Sequence, residues 1–236
     1  MIVFDGVTLD SIAPVKIDDI RVYPISLAPV TRQRAIHAGQ DFVRMTKGTR
    51  NIIITFALLE QNAIERQNAI MAVSQWAKTD REYKLELPNY PDLYMMAVCT
   101  GKPEPSMRQW WESKLRLTFT CIDDPYWISK YEKSASCGAS FFCMGDAPPL
   151  MRIERTLSSA ASNQAFSFSG KTMTFSTLPA GDIVIDLNRQ TAQVTSGNAT
   201  TSIMQYFTPT GAFIEPQPGT MNITGTGTIK YRERWA

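Results

Sequence analysis

Residues 114–127, KLRLTFTCIDDPYW, alternate in character. Leu115, Leu117, Phe119 and Cys121 fall on one side, and Lys114, Arg116, Thr118 and Thr120 on the other. A two-residue period rich in β-branched and aromatic side chains predicts a half-buried strand. Asp123, Asp124 and Pro125 then end it, because proline has no N–H to give a ladder and aspartate favours turns. Tyr126, Trp127 and Tyr131 follow, more aromatic surface than a loop leaves in water, so the turn is expected to pack on a core or another chain. The stretch reads as a junction between two folding units.

Upstream, residues 1–4 alternate weakly and reach a turn at Asp5-Gly6. Residues 7–23 hold short apolar stretches broken by Pro14 and Asp18-Asp19, which predicts short strands. Residues 31–50 differ: Arg32, Arg34, Arg44, Lys47 and Arg50 face one acid, Asp41, with glycines at 39 and 48. That pattern predicts a long hairpin or arm, the alternative being a solvated loop. Residues 51–59 form a nearly continuous apolar run, the signature of a strand buried on both faces. Asn62 followed by Glu65 resembles a capping box, and Ala63, Ile70, Val73, Trp76 and Ala77 recur at helical spacing, so one helix is expected over 62–78 with that stripe against a sheet. Two strands follow, around Leu85 and Leu87 and over 93–98, hinged at Pro88-Asn89-Tyr90-Pro91. Pro103 and Pro105 mark a loop before Trp110 and Trp111.

Downstream, residues 134–149 are rich in small residues and end in Asp-Ala-Pro-Pro, a composition that suits a linker. Beyond them come short alternations: Met151 and Ile153, Phe166 and Phe168, Met173 and Phe175, Ile183 and Ile185, Ala192 and Val194, Ile229 and Tyr231. Gly170, Gly181, Asn188, Gly197 and Gly225 separate them. Such spacing predicts an antiparallel sandwich without helices.

Composition narrows the function classes. Of 236 residues, 24 are basic and 22 acidic, a formal net charge of +2 that gives no general drive toward nucleic acid or anionic lipid. The N-terminus lacks a basic, apolar leader, and no window nears the ~20 apolar residues of a membrane helix, so neither secretion nor anchoring is expected. Cys99, Cys121, Cys137 and Cys143 form no CxxC pair and His37 is the single histidine, which argues against zinc and for free thiols. Asp123 and Asp124 are neighbours on an extended chain and point apart, unlike a facing catalytic pair. No GxSxG, GxxxxGK[ST] or post-strand GxGxxG occurs. The residues therefore predict a non-enzymatic, mainly β protein of two domains, 1–143 and 144–236, without cofactor or metal.

The order of motifs resembles the distal tail protein family of long-tailed bacteriophages. The features are FDG near the start, GQDF before GTRNIII, a helix ending in QWA, PDLYMMAV and LTFTCIDDPYW, then GDIVIDLNRQTAQV and the closing IKYRERW. The likeness runs over nearly the whole chain and is best at 117–126 and 182–194. One departure lies after Thr201: where the family usually shows a tryptophan and a Pro-Gly-Asn turn, Thr220 and Met221 stand between Pro218-Gly219 and Asn222.

The resemblance implies a virion protein assembled in the host cytoplasm. The N-terminal domain would form a ring, usually hexameric, and a galectin-like C-terminal sandwich would face outward. The ring would join tail tube, tape measure protein and a tail fibre or tail-associated lysin protein, and let DNA pass without reading its sequence. On that reading the arm residues Arg32, Arg34, Phe42, Arg44, Lys47 and Arg50 contact a neighbouring subunit. The rival expectation is a carbohydrate-binding module with Tyr206, Phe207 or Phe213 as a stacking platform.

Overall fold

The computed structural model describes residues 1–33, 40–60, 62–101, 104–105, 114–208 and 211–236. The chain divides into a first unit, Met1–Trp127 with Ala236, and a second, Ile128–Trp235.

In the first unit, antiparallel strands Val15–Val22, Arg50–Leu58, Lys114–Cys121 and Leu93–Cys99 lie side by side in that order. Leu93–Cys99 also pairs with Tyr83–Glu86, which pairs with the N-terminal ribbon at Val3–Phe4. The alternation of 114–121 becomes burial as expected: Leu115, Leu117, Phe119 and Cys121 are each 0% exposed. Register sets Leu117 opposite Ile54 and Phe119 opposite Ile52, so one continuous apolar face forms.

Strand Arg50–Leu58 corrects the expectation of burial on both faces. Ile52, Ile54, Phe56 and Leu58 are buried, while Ile53, Thr55 and Ala57 are half-buried and Asn51 is exposed. The outer row is registered with Thr118, Arg116 and Thr120 of the neighbouring strand. That mixed polar face is only half-covered, and the apolar run had concealed the difference between the two sides.

The helix spans Ala63–Trp76, capped by the Asn62 side chain, which accepts the Ile64 N–H at 2.9 Å. Ala69, Val73 and Ala77 are buried. Trp76 meets Phe4 and Phe119 edge-on at 5.7 and 6.4 Å and donates its indole N–H to the Val7 carbonyl. Ala63, expected on this stripe, is exposed. At 3.6 residues per turn it lies about 120° from Ala69. A one-turn helix, Leu9–Ile12, replaces part of the short strands expected over 7–23, and its first residue, Leu9, is fully buried with its N–H bonded to the Ile2 carbonyl.

The second unit is a sandwich. One sheet orders Ala199–Ser202, Thr191–Ser196, Gly181–Asp186, Ala147–Leu157, Thr228–Trp235 and Lys133–Ser136. Met151, Ile153, Ile183, Ile185, Ala192, Val194, Ile229 and Tyr231 on this sheet share a core with Phe166, Met173, Phe175 and Leu178 of the hairpin Ala161–Phe168 and Lys171–Leu178. The alternations read from sequence are thus the core rows.

Residues 134–149 are not a linker. They hold strand Phe141–Cys143, paired with Gly219–Met221, and they bury Cys143 and Ala147. Small side chains there fill close strand pairings instead of loosening the chain. The turn before the last strand depends on glycine: Gly225 and Gly227 have φ of 125° and 139°, and a Cβ there would lie 2.6 Å from a Phe166 ring carbon and 2.8 Å from the Glu154 carbonyl oxygen.

Candidate functional site

The basic segment holds two antiparallel strands, as a hairpin requires. Strands Leu27–Gln33 and Gln40–Lys47 pair only with each other, in a two-stranded sheet separate from the main one. Register sets Thr31 opposite Phe42, Arg32 opposite Asp41, Val30 opposite Arg44 and Leu27 opposite Lys47, with an irregularity between Val30 and Thr31. Arg34 and His37 lie outside the described residues, as do the side chains of Arg32, Phe42, Arg44 and Lys47 and both Trp110 and Trp111. The hairpin begins earlier than residue 31, at Leu27.

Backbone bonds close the root of the arm. Ser26 N–H donates to Thr49 O at 2.9 Å, Gly48 N–H to Ser26 O at 2.8 Å, and Tyr23 N–H to Asn51 O at 2.9 Å. Consecutive bonds of this kind extend the ladder at the base of the hairpin. Arg50 differs from the other cations: it is 4% exposed, on the inner row of its strand, with Nη1 3.9 Å from Met95 Sδ.

Beside this root lies an open hollow of about 480 Å³ whose lining includes Tyr23, Leu27, Arg50, Tyr90 and Trp127. Tyr90 and Trp127 lean together with ring centroids 4.2 Å apart. Leu27 is 60% exposed, Tyr23 44% and Tyr90 39%. Sequence reading missed these three because exposure depends on where the arm leaves the sheet. The turn chemistry at Pro88-Asn89-Tyr90-Pro91 was the available signal for Tyr90.

Tyr206, Phe207 and Phe213 come together in the second unit, each half-buried against its core. Phe207 and Phe213 stack at 4.9 Å, and Phe207 meets the fully buried Phe175 edge-on at 5.5 Å. Phe207 is thus engaged by two aromatic neighbours. Exposed apolar side chains of this unit lie elsewhere, at Tyr131, Phe142 and Met144.

The ionisable groups hold strands together. Arg152 donates to both Glu132 oxygens at 2.8 and 3.0 Å and to Glu154 at 2.6 Å. The Arg152 hydrogen bond holds the Glu132 carboxyl below the usual carboxylate range. Glu233, 4% exposed, accepts from Lys133 Nζ at 2.8 Å and from the Met144 N–H at 2.9 Å. All four cysteines are free thiols, and burial pushes Cys121 up to about 12 and Cys143 up to about 11. None is poised as a thiolate nucleophile. Among the described residues, no three His, Cys, Asp or Glu side chains converge to hold a metal ion.

No family model matches the sequence, and no curated protein matches it. Solved structures do match. The SPP1 Dit (gp 19.1) protein, described as a paradigm of hub adsorption apparatus in phages infecting Gram-positive bacteria, aligns with a TM-score of 0.78 at 15% identity. That alignment covers 100% of this chain and 98% of that one. A chain of the phage p2 baseplate in its activated conformation with strontium aligns at 0.52, with 10% identity over 95% of this chain and 91% of that one. A chain of the phage P2 baseplate in its activated conformation with calcium aligns at 0.50, with 8% identity over 92% of this chain and 90% of that one. The motif order and the coordinates thus lead to the same place: along its whole length this chain has the fold of the SPP1 Dit protein.

Proposed function

We propose that the chain is a structural subunit of a bacteriophage tail tip. Copies assemble into a ring, hexameric by analogy, which joins the tail tube to a receptor-binding or lysin protein and leaves a central passage for DNA. The observation that carries this reading is the correspondence in fold to the SPP1 hub protein over both chains almost end to end. A shared sandwich alone would leave one domain unmatched. Supporting it, the polar groups described above are engaged in holding strands, and none forms a nucleophile paired with a base.

In this reading the arm and its root belong to the ring-forming half, and the second unit faces outward. The tape measure and tail tube proteins are the partners on the tube side. Deletion of residues 36–46 tests the arm: sedimentation velocity of the full and shortened chains over a concentration series is expected to show weakened association for the shortened one. An unaltered distribution would remove the arm from the ring interface.

A further inference from the structure

We propose that strand Ala199–Ser202, the open edge of the second unit, pairs antiparallel with the same strand of a second copy, about a two-fold axis at Thr201. The contact goes beyond the ring proposed above and does not depend on it.

The backbone of this edge is set for a partner. Strand Ala199–Ser202 bonds to Thr191–Ser196 on one side and ends the sheet on the other. Ile203 N–H donates to the Ala192 carbonyl at 3.0 Å, and bonded pairs alternate along an antiparallel ladder. Val194 with Thr201 and Ser196 with Ala199 are therefore the bonded pairs. Thr200 and Ser202 turn their N–H and C=O groups to the open side. About an axis at Thr201, Thr200 meets Ser202 of the second copy and Ser202 meets its Thr200, so each outward N–H finds a C=O.

The absence of charge selects a second copy. Residues 191–202, TAQVTSGNATTS, hold no charged side chain and no proline. Edge strands are ordinarily blunted by charges or bulges. Strand Val15–Val22, at the edge of the first unit's sheet, has both: Lys16, Asp18, Asp19 and Arg21, with a register shift between Ile17 and Asp19. A foreign strand is chosen by charge, which this edge does not offer. A strand meeting its own copy needs the reverse, because a charge at the axis faces itself.

The side chains continue the match. The Thr195 and Thr200 hydroxyls lie 3.0 Å apart. Ser202 shares the face of Thr200, so pairing extends this row by a Thr–Ser contact between copies. On the other face Thr201 stands opposite buried Val194 yet is itself exposed, and Thr201 of the second copy covers it. A two-fold contact is isologous, so it joins one ring to another and not neighbours within a ring. Each strand is short, and the contact strengthens when several copies in a ring engage together.

Full-chain variants test this, with thermal melts to establish that each folds. Thr200→Pro removes an N–H that points away from Thr191–Ser196, so the hairpin keeps its ladder while a second copy loses a donor. Thr200→Lys with Ser202→Lys sets like charges opposite each other between copies, and Thr200→Lys with Ser202→Glu sets unlike ones there. The readout is amide hydrogen exchange, resolved by residue, from micromolar to millimolar chain in low salt. In the unaltered chain, Thr200 and Ser202 are expected to exchange about fivefold more slowly at the top of that range, while Thr201, bonded within the hairpin, stays equally slow throughout. The slowing at Ser202 is expected to vanish in Thr200→Pro. It should vanish in the double-lysine variant and return in the lysine–glutamate one. Exchange at Thr200 and Ser202 that ignores concentration would overturn the pairing, and so would two charged variants that behave alike. Rings of the unaltered chain without this slowing would leave the ring reading standing, whereas slowing in a chain that forms pairs and no rings would leave the pairing alone standing.

Discussion

Glu82 Oε1 accepts the backbone N–H of Ile122 at 2.6 Å and that of Asp123 at 3.2 Å. One carboxylate therefore satisfies two donors at the turn that ends the strand Lys114–Cys121, from the residue preceding strand Tyr83–Glu86. Charge-assisted bonds to backbone donors are worth more than neutral ones, though water reaches this turn and replaces part of what is lost. Glu82→Ala is expected to cost about 1–2 kcal/mol by urea unfolding. Glu82→Gln, which keeps an acceptor, should cost less; equal losses would mean that a neutral acceptor contributes nothing there and the charge carries the whole effect.

Asn188 fastens a turn of the second unit to its neighbouring strand. Its Oδ1 accepts the Met151 N–H at 2.6 Å and its Nδ2 donates to the Pro149 carbonyl at 2.9 Å. Asp186 Oδ1 accepts the N–H groups of Asn188 and Arg189, which shapes the same turn. Asn188→Ala leaves two partly buried backbone groups without these partners and is expected to cost about 1–3 kcal/mol by chemical denaturation. Asn188→Asp, which keeps the acceptor and loses the donor, should fall between.

Acid dissects the Arg152–Glu132 pair. The carboxyl of Glu132 is held below the ordinary glutamate range in the folded chain, chiefly by the Arg152 hydrogen bond. A depressed carboxyl contributes stability that is present above the unfolded value and lost as pH falls through the folded one. The stability difference between the unaltered chain and Glu132→Gln should therefore be constant above about pH 5 and shrink below it. A difference that does not change between pH 7 and pH 3 would contradict the ion pair.

Phe207 separates the packing role from a sugar platform. Because it stacks on Phe213 and meets Phe175, Phe207→Ala is expected to cost about 2–4 kcal/mol, as for a half-buried aromatic. Thermal unfolding of the full chain measures this. An unchanged melting temperature together with lost binding on a glycan array would reverse the assignment.

Legibility in the sequence tracked how directly side-chain period maps onto burial. The strand at Leu115, Leu117, Phe119 and Cys121 was readable because one face is wet and the other dry. The cap at Asn62 was readable because a short acceptor at that position has few other uses. Ile53 and Ala57 were misread because apolar residues on a half-covered face look like those on a covered one. Cys143 and Ala147 were misread because small residues serve tight strand pairing as well as linkers. Tyr23, Leu27 and Leu59 were not singled out at all, since their exposure follows from chain path, which no local pattern encodes.

Self-assembly of a structural subunit is tested most directly by electron microscopy of the purified full chain at high concentration. Class averages are predicted to show closed rings, six-fold by analogy, with a central hole. Particles that remain single two-unit bodies at every concentration, or that stack without a central opening, would contradict it.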